Sequence, residues 1–138
     1  MDFDFSDDQE QLRDAVRKWV DKAYTFERRR AASRAGGFDA ATWTELAELG
    51  LTGLLVPEVH GGMGLGPVEA MVVMEELGRG IVLEPLGQAL MASGILSTYA
   101  DAATQAEWLA AIASGDALVV LAYPERTSRY RLDVCDTK

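Results

Sequence analysis

Few residues in this chain could do chemistry. Glu75 and Glu76 are the obvious carboxylates for general acid–base work, but neighbours on a helix project about 100° apart and do not converge on one substrate. Solvated or ion-paired side chains are the expectation for both. His60 is the single imidazole, which excludes any site built on two histidines, and its glycine-rich setting reads as a surface loop. Cys135 is the single cysteine, so neither an internal disulfide nor a cysteine-held metal centre is expected. Gly61-Gly62-Met63-Gly64-Leu65-Gly66 invites comparison with phosphate-cradling loops, yet it lacks the Lys-Ser/Thr ending of a P-loop and the strand–loop–helix setting of a dinucleotide fingerprint. A tight structural turn fits it better. The apolar set Leu86, Leu90, Met91, Ile95 and Leu96, with Gly87 leaving room beside it, could line a pocket for an apolar chain. Core packing produces the same pattern, so both readings stand.

These groups need a scaffold, and the pattern around them is helical. Ser6 with Gln9 forms a capping box, and Leu12, Val16, Trp19, Ala23 and Phe26 then recur at steps of four and three as one apolar stripe. Arg28, Arg29, Arg30 and Arg34 crowd the far end and Gly36-Gly37 stops it, which predicts a single helix over about residues 7–35. Asp39 caps a short helix through Trp43, Leu46, Ala47 and Leu49 that ends at Gly50. Pro67 opens a third, and Glu84-Pro85 a fourth that is almost free of charge from Leu86 to Tyr99 and should be buried nearly all round. Asp101 caps a fifth, carrying Trp108, Leu109 and Ile112 on one face and ending at Ser114-Gly115-Asp116. Trp19, Trp43 and Trp108 read as structural. Residues 117–123 then form a β-branched and aromatic run bounded by Gly115 and Pro124, read as a buried strand, with Tyr130-Arg131-Leu132-Asp133-Val134 as the one further strand the chain could supply.

Composition bounds the function. The chain has 138 residues, 49% of them hydrophobic, which suits one globular domain. A net charge of -9 disfavours broad contact with a nucleic-acid backbone. The N-terminus is acidic where a secretory signal is basic, and no run reaches the roughly 18 apolar residues of a membrane span. A soluble, cytoplasmic protein is the expectation.

Taken together, four segments closely resemble the N-terminal helical domain of acyl-CoA dehydrogenases. They are Phe5-Ser6-Asp7-Asp8-Gln9, then Trp43-Thr44-Glu45-Leu46-Ala47-Glu48-Leu49-Gly50-Leu51, then Val56-Pro57-Glu58 with Gly61-Gly62-Met63-Gly64, then Met74-Glu75-Glu76-Leu77-Gly78. The similarity spans essentially the whole chain. Gly80 to Leu86 and Ser128-Arg129-Tyr130 look most like the subgroup typified by the small subunit of pimeloyl-CoA dehydrogenase. The resemblance implies a mainly α fold, with residues 1–116 as the N-terminal helical domain and residues 117–138 as the truncated start of a middle β domain. It also implies FAD, an acyl-CoA substrate dehydrogenated at the Cα–Cβ bond, partner dehydrogenase subunits in a homo- or hetero-oligomer, and an electron-transfer flavoprotein as acceptor. Family members place the catalytic carboxylate in a C-terminal bundle, so no residue here inherits it, and the chain alone should be inactive.

The same resemblance assigns substrate contact to Gly87, Leu90 and Met91. It assigns flavin contact to Tyr123, Pro124 and Glu125, where the family commonly shows a Thr-Glu-Pro turn. Glu125 matches that turn. Pro124 stands at the threonine position without a hydroxyl or an amide proton, and Arg126 replaces the proline. This departure keeps open a non-catalytic helical interaction subunit of a heteromeric dehydrogenase, and a CoA-thioester binder without redox function is a third reading.

Overall fold

The computed structural model describes residues 4–122, 131 and 133–136. Six α-helices make up the described fold: α1 (Asp7–Ala23), α2 (Phe26–Arg34), α3 (Ala40–Glu48), α4 (Pro67–Gly80), α5 (Leu86–Tyr99) and α6 (Ala102–Ala113). Two short 3-10 turns, Leu51–Gly53 and Glu58–His60, lie between α3 and α4. The mainly helical architecture expected from the capping and stripe pattern is what forms.

The capping box at α1 is complete. Ser6 Oγ accepts from the Gln9 amide at 3.2 Å and Gln9 Oε1 accepts from the Ser6 amide at 3.0 Å. The single helix expected over residues 7–35 is instead two. Thr25 Oγ1 accepts from the Arg28 amide at 3.2 Å and so caps a new helix, while Tyr24 is drawn inward, its ring stacked on Trp19 at 5.6 Å. The Tyr24 hydroxyl accepts from the Leu83 amide at 3.1 Å. The break turns the stripe: Phe26, expected inside, is 59% exposed, and Val20 is buried instead.

Helices α1 and α4 run side by side in the same direction, because their contacts climb together. Gln9 meets Glu69 (2.7 Å), Arg17 meets Glu76 (2.7 Å) and Asp21 meets Arg79 (2.9 Å). At the far end Gly80 lets the backbone approach Val20, since a Cβ there would come within 2.6 Å of Val20 Cγ1. The ion-paired reading of the two adjacent glutamates holds. Glu76 is buried between Arg17 and Arg79, and Glu75 lies exposed at 3.6 Å from Arg13. The Arg17 hydrogen bond, aided by Arg79 and opposed by burial, holds the Glu76 carboxyl below the ordinary carboxylate range.

One core joins α1, α3, α4 and α5 through Val16, Val20, Trp43, Leu46, Leu54, Leu77 and Leu86, and a smaller cluster gathers Val56, Leu109 and Ile112. Trp43 donates to the Gly115 carbonyl at 3.0 Å and Trp19 to Glu45 at 2.8 Å, as structural tryptophans should. Trp108 is part exposed, beside Leu118, Val119 and Val120. The glycine loop is a structural turn: Met63, Gly64 and Leu65 donate to the Gly53, Val56 and Leu54 carbonyls at 2.9 to 3.0 Å. A Cβ on Gly62 would lie 2.1 Å from the Val56 carbonyl oxygen.

Two expectations fail here. Helix α5 is not buried all round, because its Met91, Ile95 and Tyr99 side lies outside the core and is open. Residues 117–122 form no strand, since no other segment among the described residues offers their amides and carbonyls a ladder. Tyr123, and Tyr130 and Leu132 of the expected second strand, lie outside the described residues, while Arg131, Asp133 and Val134 are not in strand. No helix among the described residues is long and apolar enough to cross a membrane.

Two buried glutamates make opposite pH predictions. Glu76 is depressed, so its stabilisation is present above the unfolded carboxylate range and is lost as pH falls through its folded value. Glu76→Gln should cost about 2 kcal/mol at neutral pH and remove that acid-side loss. Glu84 is raised by burial, with Oε1 accepting from the Asp39 amide at 3.2 Å and Oε2 buried without a partner. Its contribution is intact below the unfolded range and is lost as pH rises through the folded value. Glu84→Gln, which keeps the acceptor and drops the charge, should therefore gain about 1 kcal/mol at pH above the raised folded value and nothing below the unfolded range. Denaturant unfolding across pH checks both. For the loop, Gly62→Ala should cost about 2 to 3 kcal/mol through the Val56 clash, a loss readable in the same unfolding curves.

Candidate functional site

Helices α4 and α5 face each other across an open apolar hollow of about 270 Å³. Helix α4 is started by Pro67 at its first turn, and Glu69 returns a bond to the Gly66 amide at 2.9 Å, which fixes where the helix begins. Its Pro67, Ala70, Met71 and Met74, spaced by three, four and seven residues, line one wall. Its Val73, Glu76 and Leu77 turn the other way into the contact with α1 and the core. Helix α5 supplies the opposite wall through Gly87, Leu90 and Met91, and Leu55 also lines the hollow.

The three residues to which substrate contact was assigned from sequence thus share one hollow. Leu90 is 4% exposed, whereas Met91 is 46% exposed and Met71 and Met74 are comparably open. The rim therefore consists of flexible thioether side chains that can follow the shape of an apolar guest. Gly87 keeps the space between the helices. A Cβ there would meet only the mobile end of Met74, at 3.3 Å from Cε. The lining contains no titratable side chain. Such a surface can exclude water and shape an apolar chain, but it cannot move a proton.

Sequence reasoning found one wall and missed the other. The α4 stripe at positions 67, 70, 71 and 74 was readable as a second apolar face, distinct from the buried face at 72, 73 and 77, but both sit on one helix and only packing separates them. The other candidates fall elsewhere. Tyr123, Pro124 and Glu125 lie outside the described residues. His60 sits half-buried in a 3-10 turn, and no cluster among the described residues could hold a metal ion.

The family model for the acyl-CoA dehydrogenase N-terminal domain matches residues 6–116. Acyl-CoA dehydrogenase IpdE2 of Mycolicibacterium smegmatis is 39% identical over 95 residues, which cover 67% of this chain and 30% of that protein. The ChsE4-ChsE5 complex from Mycobacterium tuberculosis superposes with a TM-score of 0.82 at 28% identity, over 90% of this chain and 35% of that one. A solved structure named for the electron transferring flavoprotein of Acidaminococcus fermentans gives 0.69 at 27% identity, over 83% of this chain and 31% of that one. The chain thus spans about a third of the length of these relatives. With a helical fold, a matching solved neighbour and a family match over residues 6–116, this chain belongs to the acyl-CoA dehydrogenase family.

Proposed function

We propose that the chain is the N-terminal part of an FAD-dependent acyl-CoA dehydrogenase and that the hollow between α4 and α5 receives the apolar acyl portion of the thioester. The observation that carries this reading is the convergence of Gly87, Leu90 and Met91 on one apolar hollow in a chain of this family. Residues 1–116 are then the helical domain and residues 117–138 the start of a middle β domain. A bound flavin would supply a hydride acceptor for the β-hydrogen of the thioester, and the carboxylate base for the α-proton would come from outside this chain. This chain's residues contribute shape and dryness: Leu90 closes the floor, the methionines adapt at the rim, and neither removes a proton. Tyr123, Pro124 and Glu125, which lie outside the described residues, are the proposed flavin contacts. The chain alone is then inactive, and its setting is a cytoplasmic oligomer with other dehydrogenase subunits and an electron-transfer flavoprotein as acceptor. Resemblance to the ChsE4-ChsE5 complex and to the Acidaminococcus fermentans structure supports those partners.

A second reading rests on Pro124. A non-catalytic subunit that packs on a catalytic partner has no need of the hydroxyl and amide proton that proline lacks. The two readings separate on flavin: a preparation with partner subunits that holds FAD through this chain supports the first, and loss of FAD only when the partner is removed supports the second.

The acyl role has its own test. Three of the five methionines, Met71, Met74 and Met91, line the hollow, and Met63 does not. Methyl-labelled methionine spectra of the chain titrated with a medium-chain acyl-CoA should shift those three signals and leave Met63 in place. Gly87→Leu should fill the space and weaken the response about tenfold without unfolding the chain, because Met74 can yield. Equal shifts with CoA lacking an acyl group, or shifts that bypass the three methionines, would remove the basis of the proposal.

A further inference from the structure

We propose that a second hollow, between α2 and the turn that follows α4, docks an acidic segment of a partner protein, one that sets a large apolar side chain between carboxylates. The hollow measures about 430 Å³ and its lining includes Phe26, Arg29, Arg30, Arg34, Ile81 and Leu83. It shares no lining residue with the hollow at Gly87, so it stands apart from the acyl-CoA reading.

Charge is the first argument. The chain holds 22 acidic residues against 13 Lys and Arg, so carboxylates are in excess. Arg13, Arg17, Arg28 and Arg79 each pair with two of them. Arg30 and Arg34, one helical turn apart on an exposed face of α2, have no ion pair among the described residues, and Glu27, one turn before Arg30, engages neither. Two guanidiniums left uncompensated together on a protein of charge -9 make a local positive site whose complement is an acidic ligand.

The apolar component is the second argument. Phe26 and Ile81 are 59% and 58% exposed, and the Arg29 guanidinium stands 5.3 Å over the Phe26 ring. Ile81 is the one non-glycine residue with positive φ among the described residues, at 53°. It follows the end of α4, where glycine or asparagine would sit without strain, and a β-branched residue there is an outlier. The strain places a branched apolar side chain at the hollow. Arginine beside exposed apolar and aromatic side chains is the composition of a protein–protein hot spot. A bare phosphate does not match this surface: Arg29 already donates to the Gly80 carbonyl at 2.8 Å, at the negative end of α4, and Arg30 and Arg34 stand exposed rather than enclosing a cradle.

The test is fluorescence anisotropy of a labelled peptide alternating glutamate with leucine and phenylalanine, titrated with the purified chain at low and high salt. Binding that weakens with salt is expected. It should fall at least about tenfold in the exposed double variant Arg30→Glu/Arg34→Glu. In Ile81→Gly it should fall about threefold without a lower unfolding midpoint, because the strain is relieved as the contact is lost. Absence of binding, unchanged affinity in the double variant, equal binding of a glutamate peptide without apolar residues, or full displacement by inorganic phosphate would each overturn the proposal. So would self-association of the wild-type chain that the double variant abolishes, since the occupant would then be a second copy.

Discussion

The buried Glu76 carboxylate, gripped from both sides by Arg17 and Arg79, is the interaction on which the rest of the described structure depends. A carboxylate removed from water must be neutralised and hydrogen-bonded, and here one guanidinium comes from α1 and the other from the next turn of α4. That requirement sets the register of the two helices. Once Arg17 is level with Glu76, Gln9 meets Glu69 at one end and Gly80 meets Val20 at the other. Because α4 also forms a wall of the apolar hollow at Gly87, its rotation about its own axis decides which residues line that space. Glu76 fixes the rotation, so Met71 and Met74 face outward as a consequence of an ion pair that touches neither.

The hollow itself is defined by small residues and soft ones. Gly87 and Ala70 keep the helices' surfaces low, Leu90 supplies a fixed floor, and the methionines supply walls that adjust. Rigid packing lies one layer down, where Leu54, Val73, Leu77 and Leu86 are fully or nearly fully buried. The glycine loop before α4 belongs to this rigid layer. Its contacts with the Gly53, Leu54 and Val56 carbonyls hold Pro67 at the point where α4 must start. A loop that first suggested phosphate chemistry thus serves to place a helix.

Much of this was legible in the sequence, and the exceptions share a cause. The caps at Ser6, Asp39 and Asp101, the proline start at Pro67 and the break before Leu86 are local signals, and each one marks the element that forms. That Gly87, Leu90 and Met91 share one hollow was suggested by family resemblance rather than by periodicity, which fits core packing as readily. What periodicity misjudged depended on distant partners. The break at Tyr24-Thr25 is invisible to a stripe that continues through Phe26, because it needs Leu83 to occupy the tyrosine hydroxyl. The exposure of α5 and the absence of a strand at 117–122 likewise turn on what packs beside them, which spacing along one chain does not encode.

The break at Tyr24-Thr25 also explains why the two hollows coexist. Continuing α1 straight through would have carried Phe26 into the core and left Arg28 on a solvated face. Ending it at Tyr24 and restarting at Thr25 instead sends Arg28 inward to Asp39 and Glu45, and turns Phe26 outward beside Arg29. Arg30 and Arg34 then project from the face that borders Ile81. The same tyrosine hydroxyl holds the Leu83 amide, four residues before Gly87, in the segment that delivers α5 to the other hollow. One backbone break, stabilised by a threonine cap and a buried tyrosine, therefore distributes four arginines between a structural role and an exposed one while it anchors the entrance to α5. Such economy arises because a helix boundary reorients every side chain downstream of it at once, whereas a point substitution reorients one.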